Sequence, residues 1–182
     1  MNTPPIQAFL DTNFVVFNTD ISIKVGQNSK PLDKLLEQHK QTNWAFITAW
    51  NPYCKILSDS KNAERMEQLK SKVTNYITFE GEGIGNDKNW TPERSLLILG
   101  INKTEAINIG NEFEQYAIVF GTKNTKAELI ILKNSNNEDI SISDKFIQLS
   151  DQQKLSLFMK RTKSDEPTEY DELLQHWWLN RY

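Results

Sequence analysis

The sequence predicts an α/β (α+β) domain: a mixed β-sheet with helices packed on it, in the order ββαβαββαββ, followed by a C-terminal helical extension. Three observations carry this. Near-continuous apolar runs of strand length stand at 44–50, 95–101 and 116–120. Between them lie stretches with apolar residues at helical spacing, Met66, Leu69 and Val73, then Ala106, Ile109 and Phe113. Strands alternate with helices in part and follow one another directly in part, which requires a sheet of mixed connections.

The elements read in order as follows. Two strands, 13–18 and 20–25, open the chain; the second alternates Ile21, Ile23 and Val25 against Ser22 and Lys24, and Asn18, Thr19 and Asp20 suit the turn between them. A turn over 26–30 leads into a short helix with Ser29 as cap, Pro31 in its first turn and Leu32, Leu35 and Leu36 as its stripe. The strand 44–50 ends at Pro52, and a helix follows from about residue 60, with Ser58 or Ser60 as cap. A strand over 76–79 runs into a Gly-rich stretch, and 95–101 is the next apolar strand. Asn102 and Glu105 have the spacing of a capping box for the helix that carries Ala106. Strands over 116–120 and 128–132 complete a core domain of residues 1–133. Residues 134–182 form the expected helical extension, with a capping box at Ser150 and Gln153 and a final helix carrying Leu173, Leu174, Trp177 and Trp178.

Composition narrows the function classes. An apolar share of 38% and a charged share of 25% belong to a globular chain, not a disordered one. The net charge is −3, and Lys70, Lys72, Lys160, Arg161 and Lys163 make no single basic stripe, so nucleic acid is not an expected partner. One cysteine, Cys54, excludes an intrachain disulfide. The N-terminal residues lack a basic stretch and an apolar core, and no apolar run approaches the roughly 18 residues of a bilayer span. The expectation is a soluble cytoplasmic protein without a membrane partner.

Polar residues at strand ends mark the candidate site, because a rigid element fixes a polar group where the chain turns. Asn51 follows its strand directly and would face a crevice at the strand end, although an Asn-Pro turn explains it as well. Thr48 alternates with Trp50 and points the same way, or simply packs. Asn62 and Arg65 share a helix face and would hold an anion at the helix N-terminus; the alternative is a solvated face with Arg65 paired to Glu64 or Glu67. Glu80 and Glu82 flank Gly81, and in a strand they would point one way, about 7 Å apart, as a metal pair or as acid and base. The alternative is a flexible polar loop. Trp90, Glu93 and Ser95 stand at the mouth of the next strand, where Trp90 beside Glu93 would take a flat or cationic ligand or form a lid. Gln115 enters the strand after it, or caps the preceding helix.

Other chemistries have weak grounds. His39 and His176 have no metal-ligand spacing, and no zinc, haem or dinucleotide signature is present; the cofactor stays unknown, with a divalent metal left open and its ligands unknown. A Cys54–His39 pair would need His39 to leave the end of its helix.

The words FITAWNP, S-x-x-x-N-x-x-R, GEG, W-x-x-E-R-S-L-L-I-L-G and Q-x-A-I-V, in this order, resemble the bacterial family known as domain of unknown function 3293, over about residues 14–132. The family has no established activity. The resemblance marks Thr48, Asn51, Asn62, Arg65, Glu80, Gly81, Glu82, Gly83, Trp90, Glu93, Ser95 and Gln115. Cys54 stands where the family pattern has a small polar residue, which speaks against a cysteine nucleophile. Two functions follow as expectations. One is the binding or processing of a small anionic molecule, with Glu80, Glu82 and Glu93 in catalytic roles and Thr48, Asn51, Asn62, Arg65, Trp90, Ser95 and Gln115 in binding roles. The other is a non-catalytic interaction module, binding a protein partner or a second copy through Trp177 and Trp178.

Overall fold

The two hydrophobic periodicities sort the chain into helices α1 (Ile6–Asp11), α2 (Lys30–Gln38), α3 (Asp59–Lys72) and α4 (Lys103–Glu112), and strands β1 (Asn13–Val16), β2 (Ser22–Ile23), β3 (Asn43–Thr48), β4 (Ile77–Ile84), β5 (Glu93–Leu99), β6 (Ala117–Thr122) and β7 (Glu128–Ile131). The computed structural model describes residues 6–85, 91–132 and 154. The α+β class and the order ββαβαββαββ hold, preceded by the short α1, which no sequence signal marked. The strands make one seven-stranded sheet in the order β2-β1-β4-β5-β3-β6-β7, and every ladder in it is antiparallel.

β3-α3-β4 and β5-α4-β6 are two crossovers, each skipping a strand that belongs to the other: β5 lies between β3 and β4, and β3 between β5 and β6. This interlocked β-α-β-β-α-β pattern is the ferredoxin-like split arrangement. It explains how a helix can join strands that run in one direction while every neighbouring pair is antiparallel. Both crossover helices cover one face. Ala45 and Ile47 of β3, Leu96 and Ile98 of β5, and Ile118 and Phe120 of β6 meet Met66 and Leu69 of α3 and Ala106 and Ile109 of α4 in a single buried cluster. Each of the larger of these side chains contributes about 1.5–3 kcal/mol when fully withdrawn from water, which is why α3 forms despite its polar outer surface.

The opposite face closes by curling. Phe14 on β1 meets Phe46 on β3 edge-on, ring centroids 5.4 Å apart. Gly81 of β4 pairs with Val16 on one side and Ser95 on the other, and a Cβ there would run into the Val15 carbonyl oxygen and the Phe46 ring. At the far edges a parallel bridge joins Val25 to Ala127. Gly26 N–H donates to Ala127 O at 2.8 Å and Ala127 N–H to Gln27 O at 2.9 Å. The first and last strands of the sheet therefore come together.

Helix ends follow local rules. Asn102 Oδ1 accepts from Glu105 N–H at 2.9 Å, as the capping box requires. Ser29 and Ser58 are N-caps in extended backbone, without a side-chain cap bond. α4 ends in a Schellman motif: Glu114 N–H donates to Asn111 O at 3.0 Å and Gln115 N–H to Gly110 O at 2.9 Å. Its left-handed residue is Glu114, with φ 54°, where glycine is the usual occupant. The EGEG stretch is strand rather than loop, paired to β5 through Gly83 opposite Glu93. The expected extension over 134–182, with its Ser150 capping box and its terminal helix, lies outside the described residues apart from Lys154.

Candidate functional site

The split topology brings five chain ends to one end of the sheet: the C-terminus of β3, the N-terminus of α3, the N-terminus of β5, the C-terminus of α4 and the start of β6. The strand-end crevice expected by analogy with parallel sheets is thus a junction for a different reason: two antiparallel crossovers turn there together.

The loop from Ala49 to Ser58 is its centre, and it is strained. Asn51, Tyr53 and Cys54 have φ of 44°, 47° and 58°, three left-handed residues without a glycine among them. Each costs of order 1–3 kcal/mol, so the surroundings must over-determine the loop. They do so with hydrogen bonds. Arg65 Nε donates to Ala49 O at 2.7 Å, and its Nη2 to Phe113 O at 2.6 Å. The guanidinium thus lies at the negative end of α4 and bridges both crossovers. Its Nη1 meets Glu114 at 3.4 Å. Gln115 Nε2 donates to Trp50 O at 2.9 Å and to Phe113 O at 3.0 Å. Tyr53 N–H donates to Glu114 O at 2.6 Å. Thr48 and Ser95 are register partners on β3 and β5. Thr48 Oγ1 donates to Arg94 O at 2.6 Å and accepts from Trp50 N–H at 3.0 Å, and Ser95 Oγ donates to Glu93 O at 3.1 Å.

Inside this frame Asn51 and Asn62 face each other. Asn51 N–H donates to Asn62 Oδ1, and Asn62 Nδ2 donates to Asn51 Oδ1, both at 3.0 Å. Asn51 Oδ1 also accepts from Leu57 N–H at 3.0 Å, and Asn51 Nδ2 donates to Glu93 Oε1 at 2.7 Å. Asn62 is only 1% exposed, and an asparagine is tolerable there because its amide is fully engaged. Burial raises the Glu93 carboxyl above its ordinary value, opposed by the Asn51 hydrogen bond. Burial and the nearby Glu93 charge push the Cys54 thiol up to about 12, so it stays protonated at neutral pH and is no nucleophile. His39 is the C-cap of α2 and packs edge-on against Phe79, centroids 5.7 Å apart.

Seven of the ten expected site residues therefore converge: Thr48, Asn51, Asn62, Arg65, Glu93, Ser95 and Gln115. Glu80 and Glu82 do not join them. Glu80 pairs with Lys70 of α3 at 2.7 Å on the protein surface. Glu67 and Glu80 together hold the Lys70 ammonium above its ordinary range. Glu82 stands opposite Arg94 in the β4–β5 ladder, and Arg94 lies 4.9 Å above the Phe17 ring. Among the described residues no three His, Cys, Asp or Glu side chains gather to hold a metal. Trp90, Trp177 and Trp178 lie outside the described residues. Sequence reasoning missed Glu114 and Tyr53, whose backbones lock the junction; neither residue type signals a left-handed conformation. No helix among the described residues is long and apolar enough to cross a membrane.

The sequence pattern of a family described as "Protein of unknown function (DUF3293)" matches residues 47–118. This bears out the resemblance over that span, which runs from the end of β3 into β6 and contains both crossover helices and every converging residue. No curated protein and no solved structure matches the chain.

Proposed function

We propose that the junction is a binding site for a small polar molecule and that the Glu93 carboxyl group is the group that meets it. The observation that carries this reading is a partly buried carboxyl with a raised pKa, held by one amide inside a loop of three strained residues. Above its folded pKa such a group gives the fold no stability, and strain with a perturbed carboxyl is a feature of working sites. Trp50 Nε1, at the same end of the sheet, is buried with no partner among the described residues, a donor that a ligand would satisfy.

The geometry favours an uncharged or cationic ligand over the anion expected from Asn62 and Arg65. The Arg65 donors are engaged by Ala49 O, Phe113 O and Glu114, and both ends of the Asn62 amide by residues 51 and 57. The group that remains beside the loop is the carboxyl of Glu93. A ligand amine, amide or hydroxyl complements it whether or not it is ionised, whereas an anion meets like charge wherever it ionises.

Native mass spectrometry of gently purified protein tests the reading. The wild type should carry a reproducible extra mass, or gain thermal stability from a panel of small amines, amides and alcohols, and Glu93→Gln should lose both while remaining folded. Retention of the same ligand by Glu93→Gln, or no response of the wild type to any compound, overturns it.

A further inference from the structure

We infer that Asn62 is a positioning residue that, together with the Leu57 N–H, acts through Asn51 to decide which oxygen of Glu93 exchanges a proton; the inference rests on the reading of Glu93 as the group that meets the ligand. Backbone N–H groups can only donate. Leu57 N–H donates to a terminal atom of Asn51 at 3.0 Å, so that atom is Oδ1. Asn51 N–H donates to a terminal atom of Asn62 at 3.0 Å, so that atom is Oδ1 as well. Both amide orientations are thereby fixed by the network, without the ambiguity that usually attends asparagine.

The consequences run outward. Asn62 has only its NH2 left to present, and it donates to Asn51 Oδ1 at 3.0 Å and to Leu57 O at 3.4 Å. With its oxygen held by two donors, Asn51 has only its NH2 to offer Glu93, at 2.7 Å from Oε1. Oε1 is therefore kept as an acceptor, because a hydrogen on it would confront the amide hydrogen. The proton that burial favours on Glu93 resides on Oε2. Oε2 is the atom that gives a proton to the ligand or takes one from it, and Oε1 is the hinge on which the carboxyl is held. This explains why a buried α3 position carries an asparagine whose bonds all run to residues 51 and 57 and none to the helix core.

Infrared difference spectroscopy of the protein tests this without a ligand. The C=O band of protonated carboxyl groups is followed against pH, and the Glu93 component is assigned by its loss in Glu93→Gln. In Asn62→Asp the new carboxylate still accepts from Asn51 N–H but cannot donate to Asn51 Oδ1. The new carboxylate draws the Asn51 NH2 toward itself; the Asn51 amide turns over at the expense of the Leu57 N–H bond and presents its oxygen to Glu93, which must donate from Oε1. The Glu93 midpoint should rise by about one to two pH units, the worth of one hydrogen bond to a carboxylate, and its C=O band should shift as the contact changes from accepting to donating. Asn62→Leu adds no charge and should raise the midpoint by less, because Asn51 Oδ1 then loses one of its two donors while the Leu57 N–H still holds it. If position 62 does not tolerate change, Asn51→Asp places an acceptor against Glu93 directly and should move midpoint and band in the same directions.

An unmoved midpoint and band in the folded variants overturn the inference and leave Asn62 as a loop tie only. A rise in Asn62→Asp with no band shift and no rise in Asn62→Leu is the field of a new charge and overturns it equally. Ligand retention by Glu93→Gln defeats the site reading instead, and the infrared result is independent of it.

Discussion

Two sets of carboxylates make an instructive comparison: Glu80 and Glu82, side by side along β4, and Glu93 at the mouth of β5. The first pair is two apart in sequence and interleaved with glycines, the pattern that most invites a catalytic reading. Yet Glu80 reaches a surface lysine, with side-chain exposures of 53% and 37%, in a setting where ion pairs contribute little. Glu93 is solitary in sequence, and the partner that defines it, Asn51, lies 42 positions away. Strand periodicity places neighbours on a face but does not bury them, whereas the turn of two crossovers at one end does both. The chemistry follows burial and long-range hydrogen bonding, not proximity along the chain.

The comparison is sharpened most strongly by Cys54, which shares the buried setting of Glu93. A rise from the ordinary 9.0 to about 12 leaves on the order of a thousand times less thiolate at a given pH, so alkylation at pH 8 should be slowed in proportion. The control is the same protein in urea, where the thiol should react at the rate of a free cysteine. Equal rates folded and unfolded would remove the buried setting.

Arg65→Ala comes next. It strips a cation from two backbone carbonyls of separate crossovers, and bonds of that kind are worth about 1.5–3 kcal/mol each, so urea unfolding should report a loss of about 3 kcal/mol. Arg65→Lys, which keeps the charge but cannot bridge both carbonyls, should recover only part of it. Gly81→Ala should cost about 1–3 kcal/mol by forcing a Cβ against Val15 and Phe46, which would confirm that the glycines of β4 serve the curl of the sheet rather than a ligand. Glu80→Gln should be the mildest, below about 1 kcal/mol and vanishing in high salt. A large, salt-insensitive loss there would erase the contrast between the two carboxylate sets.

Much of the fold was legible because it rests on local signals. The apolar runs of β3, β5 and β6, the stripe Met66–Leu69–Val73 and the Asn102–Glu105 cap each act within a few residues, and each appears where the periodicity places it. α1 was not legible, since six residues carry too little periodicity to distinguish. The antiparallel order was not legible either, because helical crossovers between strands do not reveal that each skips a neighbour. At the site, position was readable and role was not. Asn51, Asn62, Arg65, Glu93 and Gln115 do meet, but their spacing could not show that Arg65 and Gln115 would turn to backbone carbonyls. Nor could it show that Tyr53, Cys54 and Glu114 would take left-handed backbone, which arises only where distant segments press the loop into shape.

Whether Glu93 is held against its own charge is measured most directly by unfolding free energy against pH for the wild type and Glu93→Gln side by side. A carboxyl whose folded pKa is raised contributes stability that is fully present below its ordinary value of 4.5 and is lost as pH rises through the folded value. The wild type should therefore weaken relative to Glu93→Gln as pH rises through that window, leaving the variant as stable or more stable at neutral pH. A Glu93→Gln protein that is less stable than the wild type at neutral pH, by a margin that shrinks on acidification, would mean that the charge is welcomed by the fold and would contradict the account.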